Sequence, residues 1–356
     1  MSDYAFLLKR RRRKRNWKKV NYLKRKAVRE RKKRQRFANR LKKIRRRKLH
    51  FHINEKRKGL LKPKKPNKFQ TITVPSNFSL VNNSEEVLEF FARAKKLLSN
   101  RIQLKFDLSE VTQMTPDSIA LLVGSITDDR FSRGLSVAGN APRKKALKRL
   151  LIESGFYDHV VSSDPKPRRH NSALFHQKNK FKVENDVAKS VCEMAVKHTF
   201  GSNEKFTPIF AIIIECMANT LNHANLDKPR KYRWWLFLYT NPDTKVSSFC
   251  FFDLGVGIFE SLPVQNYIRR FMTKLSFQSN LDLLDDLFAG KISSRTKKKE
   301  RGKGIPEIYE HSKHPLIRNF VLIANDVYCN LETGENIKNE HPLMGTFLYW
   351  ELHPNN

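Results

Sequence analysis

Four short stretches in the C-terminal half carry residue types whose spacing could do chemistry. In "FFDLGVGIF", 251–259, a run of bulky apolar residues ends in Asp253, followed by Gly255 and Gly257. A buried strand has no use for a carboxylate at its end, and glycine weakens a strand unless something must approach the backbone. Asp253 is therefore a candidate to hold a donor, and the glycines to admit a close neighbour. In "IIIECMANTLNHAN", 212–225, Glu215, Asn219 and His223 recur every four residues and share one helical face. The apolar "FAIII" before Glu215 makes this a buried helix with a polar stripe turned into a cleft, although an ordinary polar face would show the same spacing. "ERGKGIPEIYEHS", 300–312, places Gly302, Lys303 and Gly304 at a helix start. Such a turn can cradle phosphate on backbone N–H groups and the helix dipole, or be a plain turn. "MGTFLYWEL", 344–352, puts Gly345 and Thr346 at the start of the last strand.

The elements that must position these residues follow from patterning. Residues 183–352 read as two helices, 184–198 and 205–224, then strands at 231–240 and 246–253. A long irregular and helical stretch precedes strands at 318–330 and 344–352. Helices followed by strands predict an α/β sandwich with helices on one face of a mixed sheet. Before it, 69–165 alternates strands and helices: "FQTITVP", "SEEVLEFFARAKKLL", "IQLKFDLSEV", "PDSIALLVGSITDDRFSRG", "LSVAGN" and "RKKALKRLLIESGF". Ser84 with two acids behind it opens the first helix, and Pro116 sits in the first turn of the second. This pattern predicts crossover units. The polar, basic stretch 166–182 reads as a linker between these blocks, so the chain divides into 1–68, 69–165, 166–182 and 183–356.

Charge separates the N-terminus from the rest. The chain has 356 residues and a formal charge of +37, and residues 1–70 hold 32 Lys/Arg against three acids. Residues 7–50 alternate basic clusters with apolar residues at helical spacing (Trp17, Val20, Leu23, Ala27, then Phe37, Leu41, Ile44). Self-repulsion leaves such an arm frayed alone and lets it fold on an anionic partner. Phosphate neutralisation gives salt-dependent, largely sequence-independent affinity. Arg10, Arg11, Arg12, Arg13 and Arg15, with Arg45, Arg46 and Arg47, are the candidate phosphate contacts. Trp17 is a candidate to stack on a base. RNA suits the arm more than DNA, and the thin apolar stripe disfavours a membrane surface. Four scattered cysteines without C-x-x-C suit reduced core thiols. No apolar run of about 18 residues occurs, and the first residues lack the apolar core of a signal peptide. A cytoplasmic, bacterial protein is expected.

In order along 183–352, E-x-x-x-N-x-x-x-H, D-x-G-x-G, G-x-G and G-T resemble the Bergerat ATP-binding fold of gyrase, mismatch-repair ATPases, chaperones, histidine kinases and anti-sigma-factor kinases. The resemblance implies ATP and Mg²⁺ as cofactors. It implies that Asp253 accepts from the adenine amine while Gly255 and Gly257 let the backbone pass beside the base. It further implies that Asn219 would hold Mg²⁺, that Glu215 would be the general base, and that Gly302, Lys303 and Gly304 would meet the phosphates. By the same resemblance Thr346 would add a hydrogen bond near the adenine, and 258–301 would form an ATP lid. His223 has the least defined role, as a supporting or packing residue. Residues 70–162 resemble the STAS domain of anti-anti-sigma factors. Where that family carries Asp-Ser-Ser/Thr-Gly, this chain has Thr115-Pro116-Asp117-Ser118, with Asp117 at the phosphoacceptor position. The departure implies a fixed scaffold, or a permanent negative charge at Asp117, with Ser118 as a displaced acceptor the third option.

The expected function is a Mg²⁺-ATP-binding regulatory protein, an ATPase, with a nucleic-acid-binding arm and an ATP-switched lid. One rival is an anti-sigma-type protein serine kinase acting on a separate partner, which labelled phosphate on a second protein would reveal. The other is a nucleic-acid-binding scaffold with a vestigial pocket, which would bind no nucleotide. A regulatory protein partner and a homodimer both stay open.

Overall fold

The computed structural model describes residues 69–135, 137–158, 174–178, 183–223, 234–241, 243–262, 279–291 and 304–354. The expected arm, 1–68, lies outside them. In the first block, β1 (Gln70–Thr73) and β2 (Asn77–Phe78) precede α1 (Ser84–Ser99). Then come β3 (Leu104–Asp107), β4 (Gln113–Met114), α2 (Pro116–Thr127), α3 (Asp129–Ser132), β5 (Val137–Gly139) and α4 (Lys145–Glu153). Strands β1, β3 and β5 form a parallel sheet in that order, and β2 pairs with β4, also in parallel. Parallel neighbours require crossovers, and α1 and α2 supply them. Pro116 stands at the helix start, as expected. Asn83 occupies the capping position of α1, and Ser84 is instead its first residue, with Oγ donating to Asn339 Oδ1 at 3.0 Å.

The second block begins earlier than its hydrophobic pattern indicated. Residues 166–182, expected as a linker, contain β6 (Leu174–Lys178). Next are α5 (Asn185–Phe200), α6 (Thr207–His223), β7 (Trp234–Thr240) and β8 (Ser247–Asp253). The short α7 (Leu284–Phe288) and α8 (Gly304–Ser312) lead to β9 (Ile317–Asn330) and β10 (Asn336–Leu352). The sheet order is β6-β7-β8-β10-β9. Every pairing in it is antiparallel, so the expected mixed sheet is corrected. The reason lies in the connections: β7–β8 and β9–β10 are neighbouring hairpin arms rather than crossover strands.

Nor does the sheet carry helices on one face only. Along β7, Trp234, Leu236 and Leu238 face a core shared with α5, α6 and α8, while Trp235 and Phe237 face the opposite way. On β8, Phe249 and Phe251 join the first core, and Cys250 and Phe252 the second. That second core is continuous with Phe90, Phe91, Leu121 and Leu122 of the N-terminal block. Residues 69–356 therefore form one unit. Helix α2 comes so near β8 that a Cβ on Gly124 would lie 2.5 Å from Phe252 Cζ. A sheet covered on both faces reads as continuous apolar strands, as "WWLFLYT" and "SSFCFFD" do. Rings stack across the strands: Trp235 on Phe252 at 5.1 Å and Phe249 on Trp350 at 5.2 Å between centroids. The end of β8 is thus held by its neighbours on either side.

Candidate functional site

Asp253 is the last residue of β8 and stands between Trp234 of β7 and Thr346 of β10. Only 7% of its surface is exposed. Its carboxylate is held by hydrogen bonds from two directions. Gly255 N–H donates to Oδ1 at 2.7 Å. Thr220 Oγ1 lies 3.3 Å from Oδ2 and 3.1 Å from Cys216 O, sharing its one hydrogen between them. Thr220 follows Asn219 on α6, so this contact ties the strand end to the helix carrying the candidate base and metal ligand.

The chain around this strand end adopts unusual backbone conformations. Gly257 has φ +83°, Asn325 of β9 has φ +54°, and Gly345 of β10 has φ +110°. A Cβ on Gly345 would collide with the Asp253 carbonyl oxygen, and one on Gly257 with the Asn325 side-chain amide. Glycine is needed at both positions for space as well as for φ. Gly345 lies in a register shift: Leu343 pairs with Asn325 and Thr346 with Ala324, leaving two residues of β10 bulged out. The bulge brings Thr346 opposite Asp253.

The second cluster forms where α6 meets α8. A Cβ on Gly304, the first residue of α8, would stand 2.5 Å from Asn219 Oδ1 and 3.0 Å from Glu215 Oε2. The helix N-terminus is therefore seated directly against both side chains. Asn219 Nδ2 is buried with no hydrogen-bond partner. Burial raises the Glu215 carboxyl above its ordinary range, and the charge of Glu307 and a hydrogen bond with it push in the same direction. Glu307 lies one turn beyond Gly304 on α8, the spacing that returns a side chain to one helical face.

Of the expected site residues, Glu215, Asn219 and Gly304 meet in one cluster. Asp253, Gly255 and Thr346 meet in the other, and Thr220 connects the two. Gly257 stands beside the second cluster, against Asn325. Gly302 and Lys303 lie outside the described residues, as do most of the expected lid, 258–301, and the arm residues Arg10, Arg11, Arg12, Arg13, Arg15, Trp17, Arg45, Arg46 and Arg47. His223 ends α6, and its side chain is not among those described. Sequence reasoning missed Thr220, Asn325 and Glu307. Only Asn325 left a usable signal, since "ND" interrupts the otherwise apolar strand "FVLIANDVYC".

The expected phosphoacceptor positions are enclosed. Asp117 and Ser118 have no exposed surface. Asp117 Oδ2 accepts from Leu80 N–H at 2.6 Å and from Val81 N–H at 3.1 Å, and Ser118 Oγ accepts from Leu80 N–H at 2.8 Å. Tyr328 of β9 donates to Val81 O at 2.8 Å, fastening the same turn to the large sheet. Burial raises the Asp117 carboxyl above its ordinary range. No known family model matches the chain, and no curated protein matches it significantly.

Proposed function

We propose that residues 183–356 bind Mg²⁺-ATP and hydrolyse it, within a regulatory protein whose basic arm binds nucleic acid, RNA more than DNA. The observation that carries this reading is the convergence of Gly304, at the start of α8, on Asn219 and Glu215 of α6. A helix N-terminus beside an amide oxygen and a carboxylate suits a phosphate group with its cation. The residues fit Mg²⁺: Asn219 offers a hard oxygen, and its amide nitrogen has no partner holding it. When bound, Mg²⁺ supplies charge neutralisation across the phosphates. Glu215 accepts the proton of the attacking water, and its raised pKa brings it nearer the operating pH, where a general base is most effective.

Asp253 accepts from the exocyclic amine of adenine. A carboxylate can accept from about four directions, and the Gly255 and Thr220 bonds orient it for this role. Transfer of phosphate to the chain's own STAS-like block is disfavoured, because Ser118 is enclosed. Parting the two blocks on ATP binding is disfavoured too, because they share one core.

The test is Mg²⁺-ATP binding and phosphate release for the wild type, Asp253→Asn and Glu215→Ala, with and without RNA or DNA. Asp253→Asn is expected to weaken binding at least tenfold, about the cost of a charged hydrogen bond. Glu215→Ala is expected to keep binding and lower release about 10²-fold or more. A wild type that binds no nucleotide overturns the reading.

A further inference from the structure

Asn325 is polar in an apolar strand, and its backbone is left-handed, at φ +54°. Asparagine tolerates that region better than most residues, but tolerance does not explain why the strand has a polar residue there. Its side chain does. Nδ2 donates to Val256 O at 2.9 Å, and Oδ1 accepts from Phe259 N–H at 3.2 Å. These bonds reach either side of Gly257, whose backbone presses on the same amide. One side chain thus replaces the strand pairing that residues 256–259 lack. The next residue, Asp326, accepts from Asn280 Nδ2 at 2.6 Å. Two adjacent residues of β9 therefore hold two segments of chain well apart in sequence.

The left-handed turn at Asn325 also lies opposite the β10 bulge that contains Gly345 and brings Thr346 to Asp253. Backbone strain of this kind persists only where the surroundings over-determine it. Here Gly257, Asn325 and Gly345 form a frame around the end of β8.

We infer that Asn325 is a positioning residue for nucleobase recognition: its amide fixes the 255–259 loop against Asp253, so that base affinity depends on a side chain that does not touch the base. This rests on the adenine reading of Asp253 given above. Both bonds are specific to an amide. The substitution Asn325→Asp keeps an acceptor for the Phe259 N–H and removes the donor to Val256. The substitution Asn325→Gly keeps the left-handed backbone and removes both bonds.

The experiment compares the full-length wild type, Asn325→Gly and Asn325→Asp. Amide hydrogen exchange at Phe259, without nucleotide, reads the pin directly. Binding of Mg²⁺-ATP and of Mg²⁺-tripolyphosphate, which has no base, separates loop positioning from general damage. In Asn325→Gly, Phe259 is expected to exchange faster and ATP to bind about tenfold more weakly, the effect of losing two ordinary hydrogen bonds. Tripolyphosphate affinity is expected to stay near wild type, and Tm to fall by only a few degrees, because the two bonds are also made without nucleotide. Asn325→Asp is expected to retain slow exchange at Phe259 and fall between the two in ATP affinity. Unchanged ATP binding in Asn325→Gly, or equal weakening of ATP and tripolyphosphate, overturns the inference. A wild type that binds no ATP overturns the adenine reading itself and the base role with it, while the exchange comparison still decides whether the amide pins the loop.

Discussion

Asp117 brings the cost of a buried charge down to a single residue. Its Oδ2 accepts two backbone hydrogen bonds and the Thr115 hydroxyl also favours the charged form, but burial outweighs them. Desolvation raises its pKa. A carboxyl with a folded pKa above its unfolded value favours the folded state fully at pH below the unfolded value. That contribution is lost as pH rises through the folded pKa. Asparagine presents the same acceptor oxygen to Leu80 and Val81 with no charge to desolvate. Asp117→Asn is therefore expected to equal or exceed wild-type stability at pH 8, by roughly 1 kcal/mol. The gap should shrink as pH falls toward 4. Urea denaturation across that range checks this. A variant much less stable than wild type at pH 8 would mean that the negative charge itself is needed, as a permanent phosphate mimic would require.

Among elements, the junction of α6 and α8 decides whether the candidate site can work. Replacing Gly304 by alanine should favour the helix by less than about 1 kcal/mol, since the position is terminal. The added Cβ would fall 2.5 Å from Asn219 Oδ1, so the amide must turn away. Gly304→Ala is thus expected to leave Tm nearly unchanged and weaken Mg²⁺-ATP binding about tenfold or more, the cost of one ligand to a charged group. Calorimetry with and without Mg²⁺ reads this. Equal affinity would place the metal away from Asn219. The same junction shows what the sequence made legible. Glu215 and Asn219 could be placed together because four-residue spacing on one helix is local information. Gly304 could be placed only at a helix start, and its neighbour across the junction was unknowable from spacing. Thr220 and Asn325 act through contacts 33 and 69 residues distant in sequence, and no local pattern encodes such distances. The two-faced burial of the sheet, by contrast, was already written in "SSFCFFD". Alternation failed there because both faces are covered, and a reading tuned to one-sided sheets passes over that sign.

For the whole molecule, the decisive feature is the core that the N-terminal block shares with the large sheet. Without residues 69–158, the sheet would bare Trp235, Phe237, Phe252, Val321, Ile323, Phe347 and Tyr349. Soluble monomers rarely expose so large an apolar patch. A fragment spanning 183–356 is therefore expected to aggregate or self-associate, whereas a chain beginning at residue 69 should stay folded and unfold in one transition by circular dichroism and by tryptophan fluorescence alike. Coincident transitions are the test of a single cooperative unit; two separated transitions would show that the blocks are independent and reopen their parting as a switch. The same shortened chain isolates the arm. It should bind nucleotide like the full chain and lose most nucleic-acid affinity, because the removed residues hold 32 of the 71 Lys/Arg. For the full chain, log affinity should fall linearly with log salt, with a steep slope that the deletion flattens. If the slope survives deletion, the phosphate contacts lie on the folded unit, and the arm serves another anionic partner.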